Sequence, residues 1–240
     1  MEDKDFIGKI FPQNCGDSLK VLSRSGKDNA SRALYECEFV QYPCKIINTK
    51  SHILEGKVQN YYIPNKFGFF FGRGKYDSKN SSKALVTWNN LQKRCFDTNS
   101  PYYKNYGEKG IIVCDEWKCF QNFAAWYEEN SKWNKDYVLE LDKDVLGKKI
   151  YSPSSCLLVP SEINKFLVGY SINSGIEERC GHYRCRVQHK DKIFLSETYS
   201  SFEEVRKIYV EKKQEFWKDL INQYILPQEL KDKLLNFKFK

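Results

Sequence analysis

The stretch YVLELDKDVLGKKIYSPSSCLLVPSEIN, residues 137–164, decides how the chain is read. Tyr137–Asp144 is a strand-like run, Gly147-Lys148-Lys149 supplies turn chemistry, and Ile150–Val159 is a second strand. Pro160-Ser161-Glu162-Ile163-Asn164 then opens a helix. This order places the carboxylates Asp142 and Asp144 at the end of the first strand and the amide of Asn164 on the helix, which is the layout of a one-metal nuclease centre. A hard cation such as Mg²⁺ or Mn²⁺ takes oxygen ligands, and a strand carboxylate with a helix amide could grip it against a phosphate. The spacing alone favours solvated turn charges at Asp142 and Asp144.

Upstream, Ala84, Trp88, Leu91 and Cys95 recur at helical spacing and predict a helix over Lys83–Cys95, stopped by Asp97-Thr98-Asn99-Ser100-Pro101. Gly110–Cys114 reads as a short buried strand. Asp115 then caps a helix whose inner face is Trp117, Phe120, Phe123, Ala124 and Tyr127. Residues 61–82 form a connector. Its Gly72-Arg73-Gly74-Lys75 stretch has Tyr76 where a phosphate-cradling loop needs Ser or Thr, so a plain glycine turn is expected. Ile7–Phe11, Leu19–Leu22, Ala33–Val40 and Cys44–Asn48 read as short strands of a small barrel-like module, with turns at Gly16-Asp17, Ser25–Asn29 and Tyr42-Pro43. Such a module either binds nucleic acid or merely docks.

Downstream, His182–Gln188 alternates. Tyr183, Cys185 and Val187 fall on one face; His182, Arg184, Arg186 and Gln188 fall on the other. Lys190 and Lys192 mark a hairpin tip, Ile193–Thr198 returns, and Ser200 or Ser201 caps a long helix with apolar Val205, Ile208, Tyr209, Phe216, Trp217, Leu220, Ile221 and Tyr224. Pro227 ends that helix and Leu230–Phe237 forms another. The expected fold class is α+β in three segments: a β module with its connector (1–70), a central ββα unit with helices (71–165), and a small antiparallel sheet on a long helix (166–240).

Composition bounds the function. Across 240 residues, 41% apolar and 15% aromatic content excludes a mostly disordered chain, and 13 Gly with 7 Pro excludes a fibrous one. Apolar runs such as Phe67–Phe71 fall far short of the ~20 residues a membrane helix needs. The opening Met1-Glu2-Asp3-Lys4-Asp5 lacks a basic region followed by an apolar one, so a cytoplasmic protein without a membrane partner is expected. Nine cysteines, an odd number, then read as reduced thiols. Cys114-x4-Cys119 and Cys180-x4-Cys185 are too wide for a zinc knuckle, although Zn²⁺ held by Cys95, Cys114, Cys119 and Cys156 stays open in three dimensions. The net charge of +8 divides into +2, +3 and +3 over the three segments, a distributed excess that suits a polyanion met along several surfaces.

The spacing of Trp88, Leu91, Arg94, Cys95, Tyr103, Tyr106, Gly107, Gly110, Ile111, Val113, Cys114, Glu116, Trp117, Phe120 and Phe123 resembles that of a phage-encoded family. The likeness continues through Leu141-Asp142-Lys143-Asp144, Tyr151-Ser152-Pro153, Cys156, Val159 and Asn164, and covers residues 85–165. That family is similar to HNH-type homing endonucleases, whose ββα-metal motif reads Asp-His, then Asn, then Asn or His. Tyr183–Tyr224 is similar to the Apetala/ethylene-response-factor type of DNA-binding domain, which presents a three-stranded sheet to the major groove. The resemblance implies double-stranded DNA as partner, one Mg²⁺ or Mn²⁺ held by Asp142 and Asn164, and the cytoplasm of a host cell. Two positions depart from it. Lys143 stands where the general-base histidine belongs and Ser155 where the structural asparagine belongs. Imidazole titrates near neutrality, whereas a lysine must be strongly desolvated to take a proton there. His52, His182 and His189 all lie outside the motif, which leaves Asp144 as the nearest substitute.

Three function classes follow: a metal-dependent DNA endonuclease using Asp142, Lys143, Asp144 and Asn164; a non-catalytic DNA-binding regulator or phage accessory factor on the same scaffold; and a protein-binding module. In the first two, Arg94, Lys148, Lys149, Arg184, Arg186, Lys190 and Lys192 are the expected DNA contacts.

Overall fold

The computed structural model describes residues 3–134, 136–168 and 175–239. It is a mixed α+β structure with several small sheets. The chain divides into two units, one formed by residues 1–80 with 115–123, the other by 81–114 with 124–240.

The first unit begins with α1 (Asp3–Phe6) and the strands β1 (Ile10–Pro12), β2 (Ser18–Lys27), β3 (Ala33–Phe39) and β4 (Lys45–Thr49), followed by α2 (Lys50–Leu54). The strands form an antiparallel meander in chain order. Alternation along β2 and β3 puts Leu19, Val21, Tyr35, Cys37 and Phe39 on one face, where Phe6, Ile46, Ile53 and Val58 complete the core. Among the described residues the sheet stays open, with β1 and β4 at its edges, so the barrel-like expectation gives way to a sheet covered by its flanking helices. The expected turn at Ser25–Asn29 also moves. Bulges after Val21 and Arg24, with Gly26 at φ +127°, carry β2 on to Lys27, and Asp28–Arg32 makes the turn. There the Asp28 carboxylate accepts from the Ala30 and Arg32 amides and pairs with the Arg32 guanidinium.

In the connector, Gln121 holds Tyr76 by both its N–H (3.2 Å) and its C=O (2.9 Å). A Cβ at Gly72 would lie 2.7 Å from Cys119 Sγ, and one at Gly74 would lie 2.2 Å from Gln121 Oε1. These glycines serve close packing.

The second unit starts with α3 (Ser82–Cys95), whose stripe of Ala84, Trp88, Leu91 and Cys95 is buried as its spacing requires. Two single 3₁₀ turns follow, then β5 (Ile112–Val113). Asp115 to Phe123 belong to the first unit: Asp115 opens a 3₁₀ turn instead of capping directly, and α4 (Phe120–Ser131) starts after it and runs on into the second unit from Ala124; all five expected inner-face residues from Trp117 to Tyr127 are buried. Next come β6 (Leu139–Asp142), β7 (Ile150–Tyr151), β8 (Leu157–Pro160) and α5 (Ser161–Val168). The single second strand expected over Ile150–Val159 is therefore two: β7 pairs parallel with β5, and β8 pairs antiparallel with β6.

The chain then forms β9 (Ile176–Arg179), β10 (His182–His189) and β11 (Lys192–Leu195), an antiparallel sheet with β10 central. Ser201 caps α6 (Phe202–Asn222) by accepting from the Glu204 amide, and α7 (Gln228–Asn236) closes the fold. The helix α6 ends at Asn222, and Pro227 caps α7 instead of stopping α6. One helix serves two cores. Its first half packs Val205 and Tyr209 against Cys185 and Val187 of the sheet. Its second half packs Trp217, Leu220 and Ile221 against Leu157, Val159, Ile163, Phe166 and Leu167. The C-terminal sheet and the β6–β8–α5 arrangement thus share a helix within one unit. Among the described residues no helix is long and apolar enough to cross a membrane.

Candidate functional site

Two places carry the sequence-derived candidates. At the first, β6 and β8 pair antiparallel and α5 leaves β8 directly, so Asp142 ends a strand while Asn164 sits on the following helix. The two side chains have other partners. Asp142 is 3% exposed and its Oδ1 accepts from the Val145 amide at 2.9 Å, holding the turn after β6. Burial pushes its carboxyl up to about 6, against the lowering effect of that backbone bond. The Asn164 side chain donates to the Glu140 carboxylate. Glu140 precedes Asp142 by two on β6, the spacing that puts both on one face of a strand. That i, i+2 spacing was the only available signal for Glu140, which sequence reasoning missed.

Lys143 is 6% exposed; its ammonium pairs with the Asp144 carboxylate and lies 5.7 Å and 6.0 Å from the ring centroids of Tyr106 and Tyr151. Arg94 of α3 approaches the Tyr106 ring to 5.3 Å and the Tyr102 ring to 6.0 Å, and bonds the Tyr151 side chain. Tyr106 and Tyr151 stack at 6.5 Å and 28°. Arg94, half-buried, therefore belongs to a cation–aromatic cluster. Such contacts contribute roughly 0.5–2 kcal/mol each, more when desolvated. Gly107 lets the cluster close: a Cβ there would lie 2.4 Å from the Cys95 carbonyl oxygen and 2.2 Å from the Tyr103 ring.

Ser155, at the asparagine position of the resembled family, donates to the Ile150 carbonyl and shares a 2.8 Å bond with the Ser152 hydroxyl. It holds the turn between β7 and β8. Lys148 and Lys149 are exposed before β7.

The second place is the open face of the β9–β10–β11 sheet. As the alternation requires, Tyr183, Cys185 and Val187 turn to the helix, while His182, Arg184, Arg186 and Gln188 are exposed. Arg184 bonds Glu177 through Nε (3.0 Å) and Nη2 (2.8 Å), and Arg186 donates to Gln188 Oε1 at 2.8 Å. The tip lysines do not join this face. Lys190 pairs with Glu162 of α5 at 2.9 Å and Lys192 with Asp219 of α6 at 3.1 Å.

A third cluster lies between α5, β10 and α6. His189 packs edge-on against Phe166 at 5.4 Å, and the Lys213 ammonium lies 3.9 Å from the same ring's centroid. Lys213 follows Val205 and Tyr209 at intervals of four, so its place on the buried stripe was available from spacing.

All nine cysteines are free thiols. Burial pushes Cys37 up to about 11 and Cys95 and Cys156 up to about 12. Among the described residues, no group of three or more His, Cys, Asp or Glu side chains could hold a metal ion. Comparison with protein-family models, with curated proteins and with solved structures finds no match to this chain.

Proposed function

We propose that this chain binds double-stranded DNA, and that its β6–β8–α5 unit, resembling the ββα unit of HNH-type homing endonucleases, serves as a docking element and not as a cutting centre. The observation that carries this reading is Lys143. At the position where the resemblance calls for a general-base histidine stands a buried ammonium with a carboxylate partner and two tyrosine rings around it. A lysine that abstracts protons needs an apolar pocket without such a partner. The implied Mg²⁺ or Mn²⁺ does not find its ligands pre-arranged either: one Asp142 oxygen accepts from the Val145 amide, and the Asn164 amide nitrogen is turned to Glu140.

The charge of +8 supports a polyanionic partner, and the exposed Arg184 and Arg186 supply the contacts. Exposed ion pairs such as Arg184–Glu177 are worth only about 0–1 kcal/mol, so a phosphate can take the guanidinium over. Binding to a mixed-sequence duplex, followed by fluorescence anisotropy over a salt series, tests the reading. Arg184→Ala should flatten the slope of log K against log salt by about 0.9, one lost phosphate contact, and adding Arg186→Ala should weaken binding further. An unchanged slope and affinity would remove these residues from the interface, and wild-type protein without salt-dependent binding would remove the function.

The order of elements supports cutting as a second reading: β6 and β8 pair antiparallel and α5 leaves β8 directly, with Asp142 ending the first strand and Asn164 on the helix. Plasmid nicking in Mg²⁺ or Mn²⁺ that disappears in Asp142→Ala would establish that second reading.

A further inference from the structure

The open face of the β10–β11 ribbon carries more than arginines. Strand register sets Leu195 opposite Arg186 and Ile193 opposite Gln188. Opposite residues in an antiparallel pair share a face, with Cβ atoms about 4.5–5.5 Å apart. Ile193 and Leu195 are 55% and 53% exposed, while Phe194 between them turns into the core with Val187. Single exposed apolar side chains are ordinary. Two of them adjacent on one face, each opposite a long polar side chain able to read a base edge, make a patterned surface.

We infer that this ribbon reads thymine methyl groups in the DNA major groove, Ile193 and Leu195 contacting the methyls while Gln188 and Arg186 bond the neighbouring base edges. The inference rests on the DNA-binding reading above. A two-stranded ribbon fits the groove, which is about 12 Å wide. Within it an A·T pair presents adenine N6 and N7 beside the thymine methyl, matching the Gln188–Ile193 pair, and guanine O6 and N7 suit Arg186 next to Leu195. Charge complementarity favours DNA over an apolar partner. On β9 and β10, Arg179, Arg184 and Arg186 face the same side as the single carboxylate Glu177. In the free protein Arg186 rests on Gln188, an exposed bond that base edges can replace.

The test uses the tightest duplex selected from a random-sequence pool, resynthesised with uracil for thymine, which deletes the methyl and leaves base pairing intact. Wild-type protein should bind the uracil form about fourfold more weakly for each methyl contacted, the effect of about one buried methyl. Ile193→Ser with Leu195→Ser should bind both forms alike, at the level of wild type on uracil DNA. Equal binding of the two forms by wild type, with salt-dependent affinity intact, would overturn this inference and leave the DNA-binding reading standing. Loss of all salt-dependent binding would overturn both. A wild-type dimer that the double substitution dissociates in sedimentation would give the face to a second copy, against DNA.

Discussion

Lys213 offers the sharpest measurement on this fold. Its side chain lies on the buried stripe of α6, 8% exposed, with the ammonium 3.9 Å from the Phe166 centroid and 5.7 Å from that of Phe239. Burial pushes the amine from 10.5 down to about 8. A fall of that size corresponds to about 3 kcal/mol held against the charged form in the folded state. The Phe166 ring face works in the other direction, by up to about 2 kcal/mol for a desolvated cation. Below pH 8 the lysine is charged both folded and unfolded, so the folded state bears the net penalty in full. Between about 8 and 10.5 the folded form has released its proton while the unfolded chain still holds one, and stability rises with pH.

Lys213→Met keeps the length of the side chain and places a thioether against the same rings. The substitution should raise the unfolding free energy by about 1–3 kcal/mol at pH 7, with the gain fading to nothing by about pH 10.5. Urea unfolding read by tryptophan fluorescence checks this, since Trp217 stacks on Phe166 at 5.9 Å. Wild type and variant compared at each pH share the titration of every other group. A difference that stays flat from pH 7 to 10, or a variant less stable at pH 7, would refute the reasoning. It would mean that the ring faces hold the ammonium more strongly than burial opposes it.

Two further outcomes concern buried acids. Asp142→Asn retains an oxygen for the Val145 amide and removes the buried charge, so it should add up to about 3 kcal/mol of stability above pH 6. Because the folded carboxyl is raised, that gain should vanish as pH falls from about 6 to 4; a gain persisting at pH 4 in urea titrations would show that charge burial is not its source. Asp17 is 4% exposed and its carboxylate accepts from the Ser18, Gln41 and Tyr42 amides and from Asn60 Nδ2. Asp17→Ala strands these donors and should cost about 3 kcal/mol or more in denaturant unfolding, while a loss below about 1 kcal/mol would mean that water replaces the carboxylate freely.

What could be read from the sequence divides along the range of the interactions. Periodicities decided by a single element came through: the α3 stripe, the aromatic face from Trp117 to Tyr127 and the two faces of β10 all lie where spacing puts them. Each needs only that one side meets apolar atoms, whichever atoms those are. The misreadings began where a second element had to be known. Nothing local in Ile150–Val159 says that its first two residues pair with β5 and its last three with β6; the Ser152–Ser155 turn, tied by hydroxyls, makes the change of partner. Position along the chain likewise set Asp142 beside Asn164 without bringing in Glu140. Glu140 shares Asp142's face on β6, and it is Glu140 that takes the amide of Asn164, leaving Asp142 to fix the turn in which Lys143 is buried. A motif fixes the order of carboxylate, cation and amide. Which of them meet depends on a carboxylate two residues away that the motif does not contain, and for that reason the wild-type nicking assay should be repeated with Glu140→Gln. Loss of cutting in that variant would make Glu140, not Asp142, the carboxylate that works with Asn164.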